Sequence, residues 1–185
     1  MKYLTIAAVL VIVLIVGLCI VISVQPNFFL ITRSELIDAP HAKVFAQVND
    51  LAAWDAWTPW KKLDPNPKTK LSIPSHGKGA TFEWSGNDEI GEGILTIVES
   101  DPAGLIEIDQ EFFKPFAGKA RITFEVMIEV PHRTLVTWTM TGENDFMGKA
   151  MCLFMNMEVM LGPKLEEGLA NLKEVAEKSD PERAE

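Results

Sequence analysis

From Leu71 to Thr141 the apolar residues recur at every second position, and that period restricts the region to antiparallel sheet. In ARITFEVMIEV, Ile122, Phe124, Val126, Ile128 and Val130 alternate with Arg121, Thr123, Glu125, Met127 and Glu129. One face is made for a core and the other for water. LIEIDQEFF repeats the pattern, with Ile106, Ile108 and Phe112 set against Glu107, Asp109 and Glu111, and with Gln110 on the dry side. ATFEW puts Phe82 and Trp84 on one face, and LVTWTM does the same for Val136, Trp138 and Met140. SDPAG, FKPFAG and VPHRT place Pro and Gly where turns need them. No connection is long enough for a crossover helix, so the segment predicts a meander of about six strands.

The flanks complete the fold. FFLITRSELID reads as a first strand, and Pro40 suits the first position of a short helix, PHAKVFAQVND, that turns Val44, Phe45 and Val48 inward. Asn49 or Asp50 then caps a second short helix, LAAWDAW, stopped by Pro59, and KLDPNPKTK forms an exposed loop. Asp145 to Ser179 reads as one long helix with Asp145 as its cap, interrupted or kinked at Gly162-Pro163. Its second half carries Leu165, Leu169, Leu172 and Val175 or Ala176 on an apolar stripe. An α+β architecture follows: a curved antiparallel sheet wrapped around a long C-terminal helix.

Ahead of this domain, Leu4 to Val24 is an uncharged run of 21 residues, about 30 Å of helix and so the depth of a hydrocarbon core. Val24-Gln25-Pro26 offers no small-residue cleavage pattern, and Leu18 before Cys19 is not the small residue a lipoprotein site requires. The expected organisation is a transmembrane anchor over 1–26, a domain over 27–179 and a frayed tail over 180–185, in a single-pass protein of the inner or plasma membrane. Lys2 on one side, and Arg33 and Lys43 on the other, leave the positive-inside balance nearly even. The net charge is −9, and only Lys2 of the charged residues lies in the first 25, so the domain sets 16 basic residues against 26 acidic ones. Such a surface repels phosphate backbones, which excludes sequence-independent nucleic-acid binding. With Cys19 inside the apolar run, Cys152 has no partner for a disulfide.

Sites of chemistry are sparse. His41, His76 and His132 belong to no HExxH, and GxSxG and CxxC are absent, so neither metal nor cofactor is implied. Trp54, Trp57 and Trp60 are three apart and on an ideal helix step round by about 60° each time, one towards a cavity, one towards the sheet edge and one towards the surface. Packing, pocket lining and membrane or partner contact all remain open for them. Glu158 falls about 20° from the line through Met151, Phe154 and Leu165. That would bring a carboxylate onto the stripe facing the sheet, where it must be paired, protonated, hydrated or at a cavity mouth. It would orient a ligand head or act as acid or base, or else accept hydrogen bonds from the indoles of Trp84 or Trp138 or reach solvent at the kink. FMGKAMCLFMNMEVM holds five of the eight methionines, adaptable side chains that suit a pocket wall or a filled core.

The strings IDAPHAKVFAQVNDLAAWDAWTPW, GKGATFEWSGNDEIGEG, TLVTWTMTGE and GPKLEEGLANLK resemble the START/Bet v1-like superfamily, also called SRPBCC or polyketide cyclase/dehydrase and lipid transport proteins, and its small bacterial membrane-anchored members in particular. The resemblance implies a helix-grip fold with a deep hydrophobic cavity between sheet and C-terminal helix, and an extracytoplasmic domain. It implies a hydrophobic small molecule or lipid as partner, with Trp54, Trp57 and Trp60 at the entrance. Trp84, Gln110, Trp138, Met151, Phe154, Met155 and Glu158 would line the cavity. Three functions compete: a membrane-tethered binding protein, a cyclase- or dehydratase-like enzyme using Glu158, and an anchored interaction or stress domain with a filled core. A cavity above about 300 Å³ separates the last from the first two.

Overall fold

The computed structural model describes residues 2–144, 146–153 and 156–178. Helix α1 (Lys2–Ser23) precedes strand β1 (Phe28–Ile37) and helix α2 (His41–Asn49), and two short 3₁₀ turns follow at Ala53–Ala56 and Pro59–Lys62. Strands β2 (Lys68–Leu71), β3 (Thr81–Ser85), β4 (Glu92–Asp101), β5 (Leu105–Lys114), β6 (Gly118–Val130) and β7 (Arg133–Glu143) come next, then helices α3 (Phe146–Cys152) and α4 (Met157–Lys178). The sheet order is β1-β7-β6-β5-β4-β3-β2, every pairing antiparallel. The period-two segment is therefore a meander, as its alternation requires, and β1 returns to pair with β7.

Register shows how that alternation builds an interior. Ile31, Met140, Ile122, Ile108 and Ile97 stand side by side across β1, β7, β6, β5 and β4, and all five are buried. Leu165, Leu169, Leu172 and Ala176 of α4 join the same core at 0–1% exposure. Each fully buried leucine contributes about 1.5–3 kcal/mol relative to its exposed state. Val44 and Val48 of α2 seal it from below.

Several local expectations are corrected. LAAWDAW forms a 3₁₀ turn rather than an α-helix, and Pro59 opens a second such turn instead of ending the structure. Pro40 is the N-cap of α2, extended at φ −61 and ψ 142, one residue before its expected place. Lys68 to Lys70, read as loop, belong to β2 at the sheet edge. The C-terminal helix does not kink apart at Gly162-Pro163: α4 runs through Pro163, and the break lies upstream, between α3 and α4. Asn156 sets it, because its Oδ1 accepts the N–H of Glu158 at 2.9 Å and of Val159 at 3.4 Å, the bonds of an N-cap. The ladder bond that Pro163 cannot make would have ended on the carbonyl of Val159, an exposed residue. Asp145, the expected cap, lies outside the described residues, as does the 180–185 tail.

Candidate functional site at the concave face of the sheet

Two aromatic groups line the concave face. In the first, Trp57 packs against Phe124 (ring centroids 6.1 Å apart), Trp138 (5.8 Å) and Trp54 (5.2 Å), and Phe124 lies 4.9 Å from Trp138. Trp54 donates its indole N–H to the carbonyl of Val48 at 2.8 Å, and Trp57 donates to Gln47 at 3.4 Å. Asn171 Nδ2 reaches the Trp57 carbonyl at 3.0 Å and ties the turn to α4. Trp54 and Trp57 thus bury in one cluster, while Trp60 is half-buried on the next turn. The expected 60° stepping fails because a 3₁₀ turn has three residues per turn and stacks positions i and i+3.

The second group lies at the other end of the strands. Trp84 stacks on Phe82 at 6.4 Å and meets Phe112 edge-on at 5.8 Å, and its indole N–H goes to the carbonyl of Ile90 at 3.0 Å. Trp84 can lie across β4 only because position 93 is glycine: a Cβ there would fall 2.5 Å from the indole Cζ2. Phe82, Trp84, Gln110 and Phe112 are all half-buried. A single row crosses the sheet here, Phe29–Gly142–Ala120–Gln110–Leu95–Phe82. Within this apolar lining Gln110 Oε1 has no hydrogen-bond partner, and nearer the leucines of α4 the buried indole Nε1 of Trp138 has none either.

Glu158 lies two turns ahead of the buried Leu165 in the same helix, so it keeps the phase of the stripe facing the sheet. It is exposed in the first turn of α4 and paired with Arg33 of β1, which also binds Glu166. The two carboxylates hold the Arg33 guanidinium above its ordinary value, hydrogen bonding to Glu158 being the largest cause. Pairing is one of the outcomes a carboxylate in this position requires, and its phase is set within α4 by Leu165 and not by Met151 of α3. Neither indole named as its partner bonds it: Trp84 is committed to Ile90 and Trp138 to nothing. Met151 belongs to α3 by its backbone, and Phe154 and Met155 lie outside the described residues.

Arg33, weighed in the sequence only for membrane orientation, is marked as an inward residue by the alternation of β1. Arg33 pairs with Trp138 and Glu35 with Val136, so both charges share the inward face of β1 with Ile31 and Ile37. Glu35 accepts a hydrogen bond from Lys173 at 2.6 Å. His41 belongs to no catalytic motif, yet its Nε2 is buried without a partner.

Beneath Leu165, Leu169 and Leu172 the layers are in closed contact, and the deep cavity implied by resemblance is not seen there among the described residues. A cleft of about 280 Å³ does open where the chain leaves α1, between Gln25, Phe28, Phe29, Asn144, Asn156 and Met157. Among the described residues no three His, Cys, Asp or Glu side chains converge as metal ligands.

This seven-stranded grip around α4 has many counterparts among solved structures, and residues 29–177 match the family described as polyketide cyclase / dehydrase and lipid transport. The chain belongs to that family. Norcoclaurine synthase from Thalictrum flavum, solved with dopamine and hydroxybenzaldehyde, superposes with TM-score 0.62 at 11% identity over 88% of this chain and 94% of its own. The Zhui aromatase/cyclase of a Streptomyces species gives 0.58 at 14% identity over 85% and 98%. A protein from Thermobifida fusca gives 0.58 at 23% identity over 80% and 93%. Likeness at these identities establishes the shared fold. Among curated proteins none matches the chain.

Proposed function

We propose that this family member binds a hydrophobic small molecule against the Phe82, Trp84, Gln110 and Phe112 end of its concave face, and that α1 anchors it in a membrane. The observation carrying the first part is a buried acceptor without a partner, Gln110 Oε1, set in an apolar surface at that end. Buried acceptors and donors are nearly always satisfied in folded proteins, so an exception in a half-buried apolar lining fits a site completed by a guest's donor or by water. An apolar body with one or two polar groups is the kind of guest such a lining takes. The lipid-transport description of the family agrees with it.

The anchor rests on α1, whose Thr5–Ser23 stretch is long and apolar enough to cross a bilayer and whose side chains are exposed almost throughout. A helix that serves as a soluble core would bury such residues. The anchor covers 1–26, the binding domain covers 27–179, and the domain stands on the extracytoplasmic side. Trp54 and Trp57 brace the turn that closes the aromatic cluster, and Trp60 flanks it.

Native mass spectrometry of the full chain in detergent tests the binding. A co-purifying hydrophobic mass that is lost on substituting Gln110 or Trp84 supports it. An empty protein from several hosts, together with no uptake of a fluorescent fatty acid, overturns it in favour of the filled-core interaction domain.

A further inference from the structure

The connection between α1 and the sheet is short and fastened. Only residues 24–27 separate Ser23 from Phe28, at most about 14 Å if fully extended. They are not extended: Val24 N–H reaches the carbonyl of Ile20, and Gln25 N–H that of Ile22. Asn144, just past β7, then donates its backbone N–H to Asn27 O at 2.8 Å and its side-chain Nδ2 to Pro26 O at 3.1 Å. A helix crossing a bilayer and clasped in this way brings one end of the sheet down to the lipid surface.

The register says which other residues share that end. Phe28 pairs with Glu143, Gly142 with Ala120, and Phe112 with Gly118, so the β5–β6 turn lies beside the exit of α1. Strands are spaced about 4.8 Å apart, which puts this turn roughly 12 Å from β1. Four phenylalanines there, Phe28, Phe113, Phe116 and Phe146, are 55–64% exposed. Solvent does not favour such a set of bare rings, whereas the headgroup region of a bilayer accommodates aromatic side chains. The half-buried row containing Gln110 and Phe82 opens at the same end, next to the cleft of about 280 Å³.

We infer that this phenylalanine-bearing sheet end lies in the interface of the bilayer, so that the domain is docked on the membrane and its concave face loads from the lipid phase. The inference rests on the anchor and binding reading above. The opposite end, near the β6–β7 turn, lies about 33 Å away along β6 and also exposes apolar residues, Met127 and Ile128 among them, which makes it an internal control.

The test uses the full chain with Cys19→Ala and Cys152→Ala in phosphatidylcholine vesicles, carrying an environment-sensitive thiol probe at Phe116→Cys or at Ile128→Cys. The probe at 116 is expected to emit at shorter wavelength and to be quenched by lipids brominated in their acyl chains, and the probe at 128 to do neither. Equal solvent exposure at the two positions overturns the inference. Alkaline extraction separates the causes, since release of the protein from vesicles sinks the anchor itself. A Phe113→Ser, Phe116→Ser double variant keeps its melting temperature and slows uptake of a fluorescent fatty acid from vesicles several-fold, while uptake from detergent is unchanged. Slowing from both sources points to a damaged binding site and not to docking. Unchanged uptake from both sources counts against docking.

Discussion

Gly168 of α4 passes directly over the indole of Trp138. A Cβ at 168 would lie 2.7 Å from Trp138 Cζ3 and 3.3 Å from Pro59 Cδ. Glycine inside a helix costs roughly 0.5–1 kcal/mol relative to alanine, so the close approach of the two layers is what the residue serves. Gly168→Leu forces them apart and is expected to lose about 1–3 kcal/mol. The urea midpoint of the full chain in micelles reports this, and an unchanged midpoint would show that helix and sheet part freely.

Gln110 carries a buried acceptor with no partner. Gln110→Leu keeps the size of the side chain and removes that atom. The empty protein is expected to hold its stability or gain up to about 1 kcal/mol, since an unsatisfied polar group no longer has to be buried. Affinity for guests with a donor head falls, while purely apolar guests bind as before. Paired melts and titrations check both halves, and a large loss of stability would show that Gln110 has a structural partner.

Glu158 shares Arg33 with Glu166 and is 51% exposed at its side chain. Exposed ion pairs contribute about 0–1 kcal/mol, so Glu158→Gln is expected to shift stability by no more than that and to leave guest affinity unchanged. Were a cyclase- or dehydratase-like turnover detected, a drop of about a hundredfold or more in this variant would assign Glu158 as acid or base.

The helix meets β1 and the Pro59–Lys62 turn through charges whose protonation bears on stability at the extremes of pH. Hydrogen bonding to Glu35 raises Lys173 above its ordinary 10.5, and its contribution is complete below that value and disappears as pH climbs through the higher folded one. Glu167 is lowered from 4.5, first by Lys62 and then by Lys164, and its contribution holds above the ordinary value and disappears as pH falls through the folded one. Lys173→Met should therefore differ from the parent at neutral pH and converge with it in strong alkali. Denaturation midpoints across pH measure this, and a gap that persists in alkali would assign the effect to packing.

The sheet was legible because a half-buried antiparallel strand writes its burial into a period of two, as Ile122, Phe124 and Val126 show. The stripe of Leu165, Leu169 and Leu172 was equally plain. The partner of Glu158 was not, because the phase it shares with Leu165 turns it towards the sheet without naming Arg33, which only the register of β1 brings beneath it. The pair Trp54 and Trp57 eluded the reading for a different reason: short α and 3₁₀ segments look alike in sequence and differ only in whether residues three apart coincide. Periodicity also reports that Phe82, Trp84 and Gln110 face inward without saying what lies against them.

Asn156 has a further effect on how the chain tolerates change in length. A residue inserted ahead of it, in the α3 connection, is absorbed before α4 is nucleated, and Leu165, Leu169 and Leu172 still meet the sheet. The same insertion placed after Met157 and before Leu165 turns the remainder of the helix by about 100° and swings its leucines towards water. Melting curves of the two insertion variants would tell them apart, and the asymmetry makes Asn156 the boundary between a stretch free to vary in length and a stretch whose residue count is fixed.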